Sequence, residues 1–308
     1  MEIALQFVLL ALGFVMLGKG ADWFVEGAAG IAMRFGIPQL VIGLTIVAMG
    51  TSAPEAAVSI AAAVKGNADI TIGNIVGSNI LNILVILGLA ASIVPIAVAR
   101  STVRIEIPFM IGVTALLFYQ GRDSSISLAD GGVLMVAFAA YMMYLYTMAM
   151  KSNVDSDLEE PGLPLGRCLL GAVGGLALII AGSNVTVGAA TSIATYAGLS
   201  ERFIGLTIVA LGTSLPELFT SVAAARRGNA DIAIGNIVGS NIFNILFVVG
   251  LSSLIIDIPF ASAFNFDTYV ALGAAVLLWL CVLRTQRLQR WAGALMLMCY
   301  VAYLGYIL

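Results

Sequence analysis

Two glutamates, Glu55 and Glu217, stand inside long apolar runs. Each directly follows a proline, in the blocks Gly-Thr-Ser-Ala-Pro-Glu (50–55) and Gly-Thr-Ser-Leu-Pro-Glu (212–217). An acid at the centre of a membrane helix costs about 2.5–3.5 kcal/mol on insertion scales, so two at matching places point to function. Proline lacks an N–H and clashes with the carbonyl four residues back. Pro54 and Pro216 should therefore release the carbonyls of Gly50 and Gly212. Carbonyl oxygens left free at membrane depth are tolerated only against protein, water or a cation. Helical spacing adds further oxygens. Thr51, Ser52 and Glu55 lie at i, i+1 and i+4 and share a face, as do Thr213, Ser214 and Glu217. In the next helix Asn74, Ser78 and Asn82 form a polar stripe at i, i+4 and i+8, and Asn236, Ser240 and Asn244 are its twin. Carboxylate, hydroxyl, amide and carbonyl oxygens, with no soft nitrogen or sulfur donor, are a ligand set for a hard cation such as Ca²⁺ or Na⁺. Two ionised glutamates are neutralised by one Ca²⁺ or by two Na⁺, so competition for one site would be enough for exchange.

Some of these residue types have plainer uses. Asn74, Asn79, Asn236 and Asn241 read equally well as hydrogen-bonding glue between helices. Asp69 and Asp231, each in a Gly-Asn-Ala-Asp segment ahead of a helix, read as N-terminal caps. Gly73 with Gly77 and Gly235 with Gly239 are spaced for close helix approach. Lys19 and Asp22 are placed to pair along one helix face.

These residues sit in a chain of 308 residues that is 61% hydrophobic and 10% charged, with a mean hydropathy of +1.06. Soluble domains carry about 25% charged residues, so the composition is that of a membrane protein. A formal charge of −3 argues against nucleic-acid binding. The absence of histidine removes imidazole ligands and the commonest general base. Cys168, Cys281 and Cys299 lie in apolar runs without metal-site spacing and read as packing residues. The first apolar stretch has no basic n-region or cleavage pattern, so it reads as a membrane span rather than a signal peptide.

Ten segments are long enough to cross a bilayer: 3–32, 38–64, 70–92, 103–120, 128–150, 166–196, 200–225, 232–256, 266–284 and 290–308. The plainly aqueous stretch runs from Lys151 to Pro164. Its Asp155, Asp157, Glu159 and Glu160 lack an EF-hand spacing and read as a solvated linker. With both termini outside, Arg34, Arg100, Arg104, Lys151, Arg167, Arg226, Arg227, Arg284, Arg287 and Arg290 fall on the cytoplasmic side. Only Lys65, Arg122 and Arg202 then remain outside, in keeping with the positive-inside rule.

The chain is also duplicated. Residues 43–84 and 205–246 are identical at 32 of 42 positions at a constant offset of 162, without a gap. The expected domains are a first repeat at 1–150, a short cytoplasmic linker at 151–165 and a second repeat at 166–308. Five spans per half force the second copy to enter from the opposite side. The expected fold is therefore an all-α integral membrane protein, with ten transmembrane helices as two inverted five-helix repeats. Inverted repeats with interrupted helices are the plan of secondary transporters, whose sites lie near the midplane between the repeats.

The duplicated G-T-S-x-P-E and G-N-x-x-G-S-N-x-x-N blocks resemble the two alpha repeats of the calcium/cation antiporter superfamily, and within it the bacterial and archaeal sodium/calcium exchangers. The blocks cover about 84 residues directly, and the ten-helix plan extends the likeness over the whole chain. The resemblance implies four cation positions held by the second, third, seventh and eighth helices. It assigns ligand roles to Thr51, Ser52, Glu55, Ser78 and Asn82, and to Thr213, Ser214, Glu217, Ser240 and Asn244. It adds the backbone carbonyls of Ala48 and Ala210. It also implies that helices one and six slide across the rest of the bundle. Several exchangers carry aspartate where this chain has Asn244, so the cluster here holds two acids rather than three, which bears on stoichiometry. The short linker excludes the large cytoplasmic regulatory domains of animal exchangers.

The expected function is antiport of Ca²⁺ against Na⁺ by alternating access in a plasma (inner) membrane. The expected partners are these two ions and the lipid bilayer, with no cofactor and no obligate protein partner. Ca²⁺/H⁺ antiport on the same fold is the alternative, since desolvated glutamates can bind protons. The flanking hydroxyls and carbonyls, which bind Na⁺ and do nothing for protons, favour sodium. A passive cation channel fits paired broken helices less well. An intramembrane enzyme would leave the hydroxyl-rich stripes without a purpose.

Overall fold

The computed structural model describes residues 2–152, 163–198 and 210–307. The acidic linker positions 155–160, and residues 200–209 of the seventh expected span, lie outside the described residues. The first half contains α1 (Glu2–Phe35), α2 (Gln39–Thr51), α3 (Ala53–Val64), α4 (Ile70–Ile93), α5 (Thr102–Asp123) and α6 (Leu128–Lys151). The second half contains α7 (Leu165–Tyr196), α8 (Ala210–Thr213), α9 (Leu215–Arg226), α10 (Ala230–Ile255), α11 (Ala263–Leu283) and α12 (Arg290–Ile307). Among the described residues eight helices are long and apolar enough to span a membrane, and the bent pair α2–α3 makes a ninth.

Burial orders these helices around a centre. The most apolar stretch of α10 is 94% buried and that of α4 is 78% buried, against 17% for α1, α6 and α12. The outer helices offer side chains such as Phe7, Val136 and Val301 to the surroundings, as lipid-facing helices do. Gly235 and Gly239 let α10 touch the backbone of α2. A Cβ on Gly239 would stand 2.7 Å from the Leu44 carbonyl oxygen, and one on Gly235 would stand 3.1 Å from Gly43 Cα. The residues that the 162-residue offset would set against Gly73 and Gly77 fall outside the described ones.

Two short antiparallel ribbons tie the halves together. β1 (Ile96–Ala97) pairs with β4 (Arg287–Leu288), and β2 (Ser125–Ile126) pairs with β3 (Ile258–Pro259). A shift of 162 carries β1 onto β3 and β2 onto β4, so each ribbon is the counterpart of the other.

The helix breaks fall at serine, not at proline. Ser52 (φ −83°, ψ 6°) and Ser214 (φ −90°, ψ 2°) leave helical geometry, and Pro54 and Pro216 sit in the first turns of α3 and α9. Proline is at ease in a first turn, where no N–H is needed, and cannot extend a turn already laid down. The axis turns by 52° between α2 and α3. The expected cap at Asp231 is displaced too. The helix after the second Gly-Asn-Ala-Asp segment is preceded by Asn229, which makes no side-chain cap bond, so Asp231 falls inside the first turn, while the Asp69 side chain lies outside the described residues.

α1 and α7 run antiparallel along a seam of small residues. Gly13, Gly20 and Gly27 recur every seven residues, against Gly182, Gly175 and Gly171 of α7 respectively. A Cβ on Gly20 would lie 2.9 Å from the Gly175 carbonyl oxygen. Such contact gains dispersion that lipid cannot match. Asp22 does not pair with Lys19. Its Oδ1 instead accepts from Arg227 Nε at 3.1 Å, and Glu26 Oε2 accepts from Arg227 Nη1 at 3.1 Å. Gly27→Ala would place a methyl 2.4 Å from the Ala172 amide nitrogen, and overpacking of this kind costs about 1–3 kcal/mol. The unfolding midpoint in detergent should fall for Gly27→Ala and hold for Gly18→Ala, where nothing lies within 4 Å.

Candidate functional site

The site forms where the two helix breaks meet α4 and α10. Glu55 and Glu217 occupy the first turns of α3 and α9 and are 1% and 0% exposed.

The Thr-Ser pair of each break serves the glutamate of the other repeat. Ser52 Oγ donates to Glu217 Oε1 at 2.8 Å, and Thr51 lies beside the same carboxylate. Thr213 and Ser214 lie beside Glu55. Regular helical spacing would keep Thr51 and Ser52 with their own Glu55. The interruption at Ser52 turns the chain, and the pairing crosses between halves.

Behind each glutamate an asparagine pins the broken helix. Asn74 Nδ2 donates to Ser59 Oγ at 2.9 Å and to the Glu55 carbonyl at 3.2 Å. Asn236 Nδ2 donates to Ser221 Oγ at 2.9 Å and to the Glu217 carbonyl at 3.4 Å, and Asn236 Oδ1 accepts from Thr51 Oγ1 at 3.0 Å. Ser59 and Ser221 were not among the residues expected from the sequence. Their signal was there: a serine four residues after each glutamate, at the same offset.

α4 and α10 lock to each other reciprocally. Asn79 Nδ2 donates to the Asn241 carbonyl and Asn241 Nδ2 to the Asn79 carbonyl, each at 3.2 Å. Asn82 Nδ2 donates to Asn241 Oδ1 at 2.9 Å, and Asn244 Nδ2 donates to Asn79 Oδ1 at 3.1 Å. Asn79 and Asn241 are thus the glue. Asn82 and Asn244 have their amide nitrogens committed, which turns their oxygens free. Both begin π-helical turns (Asn82–Leu87 and Asn244–Val249), a widening often found at functional sites.

The free atoms define what the site takes. Glu55 Oε2, Glu217 Oε2, Asn82 Oδ1, Asn244 Oδ1 and Ser214 Oγ are all buried without a hydrogen-bond partner. Four of the five can only accept. An unmet buried acceptor costs about 1–3 kcal/mol, more when charged, and acceptors of this kind suit a positive ligand. Among the described residues no basic side chain pairs with either glutamate. Ser78 is buried, and Ser240 Oγ donates to the Ala48 carbonyl at 3.3 Å, which brings that carbonyl to the cluster. Ala210 opens α8, and its side chain lies outside the described residues. The Gly212 carbonyl, expected to be free, accepts from Ser183 Oγ of α7 at 2.7 Å. At the matching place α1 has Ala21, which offers no hydroxyl.

This oxygen cage agrees with what the chain resembles. Residues 5–147 and 168–308 match the sodium/calcium exchanger protein family. The chain belongs to that family. The sodium/calcium exchanger MaX1 of Methanosarcina acetivorans is 34% identical over 345 residues, covering 98% of each chain. The inner membrane protein YrbG of Escherichia coli is 37% identical over 314 residues, covering 96% of this chain and 95% of its own. Among solved structures, the sodium-calcium exchanger NCX_Mj soaked with zero Na⁺ and Ca²⁺ superposes with a TM-score of 0.87. It is 33% identical, covering 99% of this exchanger and all of its own chain. The exchanger is accordingly a multi-pass membrane antiporter of cations.

The crossed pairing is measurable in the ion-free protein. Ser52→Ala removes a hydrogen bond to a carboxylate, worth about 1.5–3 kcal/mol of stability, against about 0.5–1.5 kcal/mol for a neutral bond. The loss should shrink in a Glu217→Gln background and persist in a Glu55→Gln background. Equal losses in both, read by unfolding in detergent, would refute the crossing.

Proposed function

We propose that the exchanger is a secondary active antiporter that moves Ca²⁺ against Na⁺ by alternating access through the Glu55–Glu217 cluster. The observation that carries this reading is the set of unpartnered buried oxygens, two of them carboxylate, with hydroxyls beside them. A charge of −2 is balanced by one Ca²⁺ or two Na⁺, so either cargo leaves the site neutral and neither binds fully beside the other. Thr51, Ser52, Glu55, Ser78 and Asn82, with Thr213, Ser214, Glu217, Ser240 and Asn244, are the proposed side-chain ligands, and Ala48 and Ala210 the proposed carbonyl donors. The names of MaX1 and NCX_Mj support sodium as the counter-ion.

Alternating access is supported by two unequal cavities. One of about 710 Å³ lies between α7 and α3 and is lined by Pro54, Ala57, Ser183 and Thr213, so it reaches the cluster. Its counterpart of about 550 Å³, between α1 and α9, is lined by Lys19, Asp22, Phe219 and Arg227 and includes none of the cluster residues. Phe219 stands where the offset places Ala57 in the open cavity. The Arg227 ion pairs with Asp22 and Glu26 tie α1 to the end of α9 there, whereas the offset sets Lys65 in place of Arg227 and Asn184 and Gly188 in place of the two acids. In this reading α1 and α7 slide as one unit along their seam. The ten spans form two inverted five-helix repeats, both termini face outward, and the open cavity leads to the outside of an inner or plasma membrane.

The test is ⁴⁵Ca²⁺ uptake into proteoliposomes loaded with Na⁺, beside choline-loaded vesicles at matched pH and vesicles with an imposed pH gradient. Uptake should require internal Na⁺, ignore the proton gradient, and vanish in Glu55→Gln and in Glu217→Gln. Uptake driven by the proton gradient alone would replace sodium by protons, and wild-type flux in either variant would sink the site.

A further inference from the structure

The exchange machinery is duplicated, residue against residue, at an offset of 162. One buried acid in the bundle is not. Glu106 lies within the first turns of α5, is 1% exposed, and its counterpart is Thr268, whose hydroxyl donates to the Phe264 carbonyl at 2.7 Å. Glu106 therefore belongs to no symmetric pair and has no part in the crossed cluster.

Its surroundings leave several polar atoms unmet. Tyr144 OH of α6 donates to Glu106 Oε1. Glu106 Oε2 is buried with no partner. So are Thr102 Oγ1, one turn earlier on α5 and beside the carboxylate, and the Tyr141 hydroxyl on α6. Glu106, Tyr141 and Tyr144 line one cavity of about 150 Å³ with Ile105 and Phe109. That volume holds an ion and a few waters, at about 30 Å³ of liquid volume per water. Residues 102–106 form a π-helical turn, which widens the helix at this point. Asp231, in the first turn of α10, adds negative potential at Glu106. Among the described residues no lysine or arginine pairs with Glu106.

The geometry points to a second cation site, in which Glu106, Thr102, Tyr141 and Tyr144 hold one small monovalent cation of the sodium class outside the exchange cluster. One buried negative charge calls for one positive charge, and a carboxylate with alcohol and phenol oxygens is a hard-ligand set. An ion bound there would supply the partner that Glu106 Oε2, Thr102 Oγ1 and the Tyr141 hydroxyl lack. Its occupancy would brace α5 against α6 without being transported.

The experiment uses the purified full chain carrying Glu55→Gln and Glu217→Gln, which silences the exchange cluster. Its unfolding midpoint in detergent is followed as NaCl replaces choline chloride at constant ionic strength. The midpoint should rise with Na⁺, and the rise should be lost when Glu106→Gln is added. Thr102→Val and Tyr141→Phe, which keep the charge, should each shift the response to higher Na⁺; they carry the test if Glu106→Gln does not fold. The same responses are expected in the otherwise wild-type chain held at saturating Ca²⁺. No Na⁺ response in the double variant, or one that survives Glu106→Gln, overturns the proposal. A midpoint that rises on acidification and ignores Na⁺ overturns it in favour of a proton. Because the readout is binding without transport, failure of Na⁺/Ca²⁺ exchange would leave this result unaffected.

Discussion

The rest of the structure follows from two carboxylates held in the middle of a bundle with no cationic side chain among the described residues to meet them. In a low-dielectric interior such charges are tolerable only if the surrounding atoms and a mobile cation offset their lost hydration. Every hydrogen bond near Glu55 and Glu217 serves that end. The amide nitrogens of Asn82 and Asn244 are consumed by Asn241 and Asn79, so what turns inward is oxygen. In the proposed reading, the cargo supplies the charge that completes this arrangement.

Breaking the helices is what makes this arrangement possible. An unbroken α-helix would commit its carbonyls to its own ladder and keep Thr51 and Ser52 over Glu55. The interruptions at Ser52 and Ser214 free backbone and side chain together and let Ser52 reach Glu217. Each half then supplies what the other needs, and neither half alone contains a site. The asparagines behind the glutamates hold the breaks open. The reciprocal Asn79–Asn241 bonds hold α4 against α10, which keeps the two halves in register.

Against this near-symmetric centre, α1 and α7 are where the halves differ. Ser183 holds the Gly212 carbonyl where α1 has only Ala21, and Arg227 finds two acids on α1 where Lys65 faces none on α7. Phe219 occupies a place that is Ala57 in the other half. These differences fall on the surfaces along which, in the proposed reading, α1 and α7 slide.

The local chemistry could be read from the sequence by itself. The two Pro-Glu blocks, the polar stripes and the constant offset of 162 identify an oxygen site repeated in two halves, because residue type, helical period and repetition are properties of the chain. The Thr-Ser pairs that spacing singled out do lie beside the glutamates, and Asn82 and Asn244 keep unpartnered oxygens. Where the partners lie was not legible. Spacing assigned Ser52 to Glu55, Asp22 to Lys19 and Asp231 to a cap, and each assignment moved once the chain was folded. Glu106 escaped notice for the same reason, since its partners Tyr141 and Tyr144 stand on another helix. Periodicity reports neighbours along one helix, whereas hydrogen bonds between helices depend on bends, breaks and close backbone approach. Those are settled only when all the helices pack at once, and that packing decided which oxygen faces which.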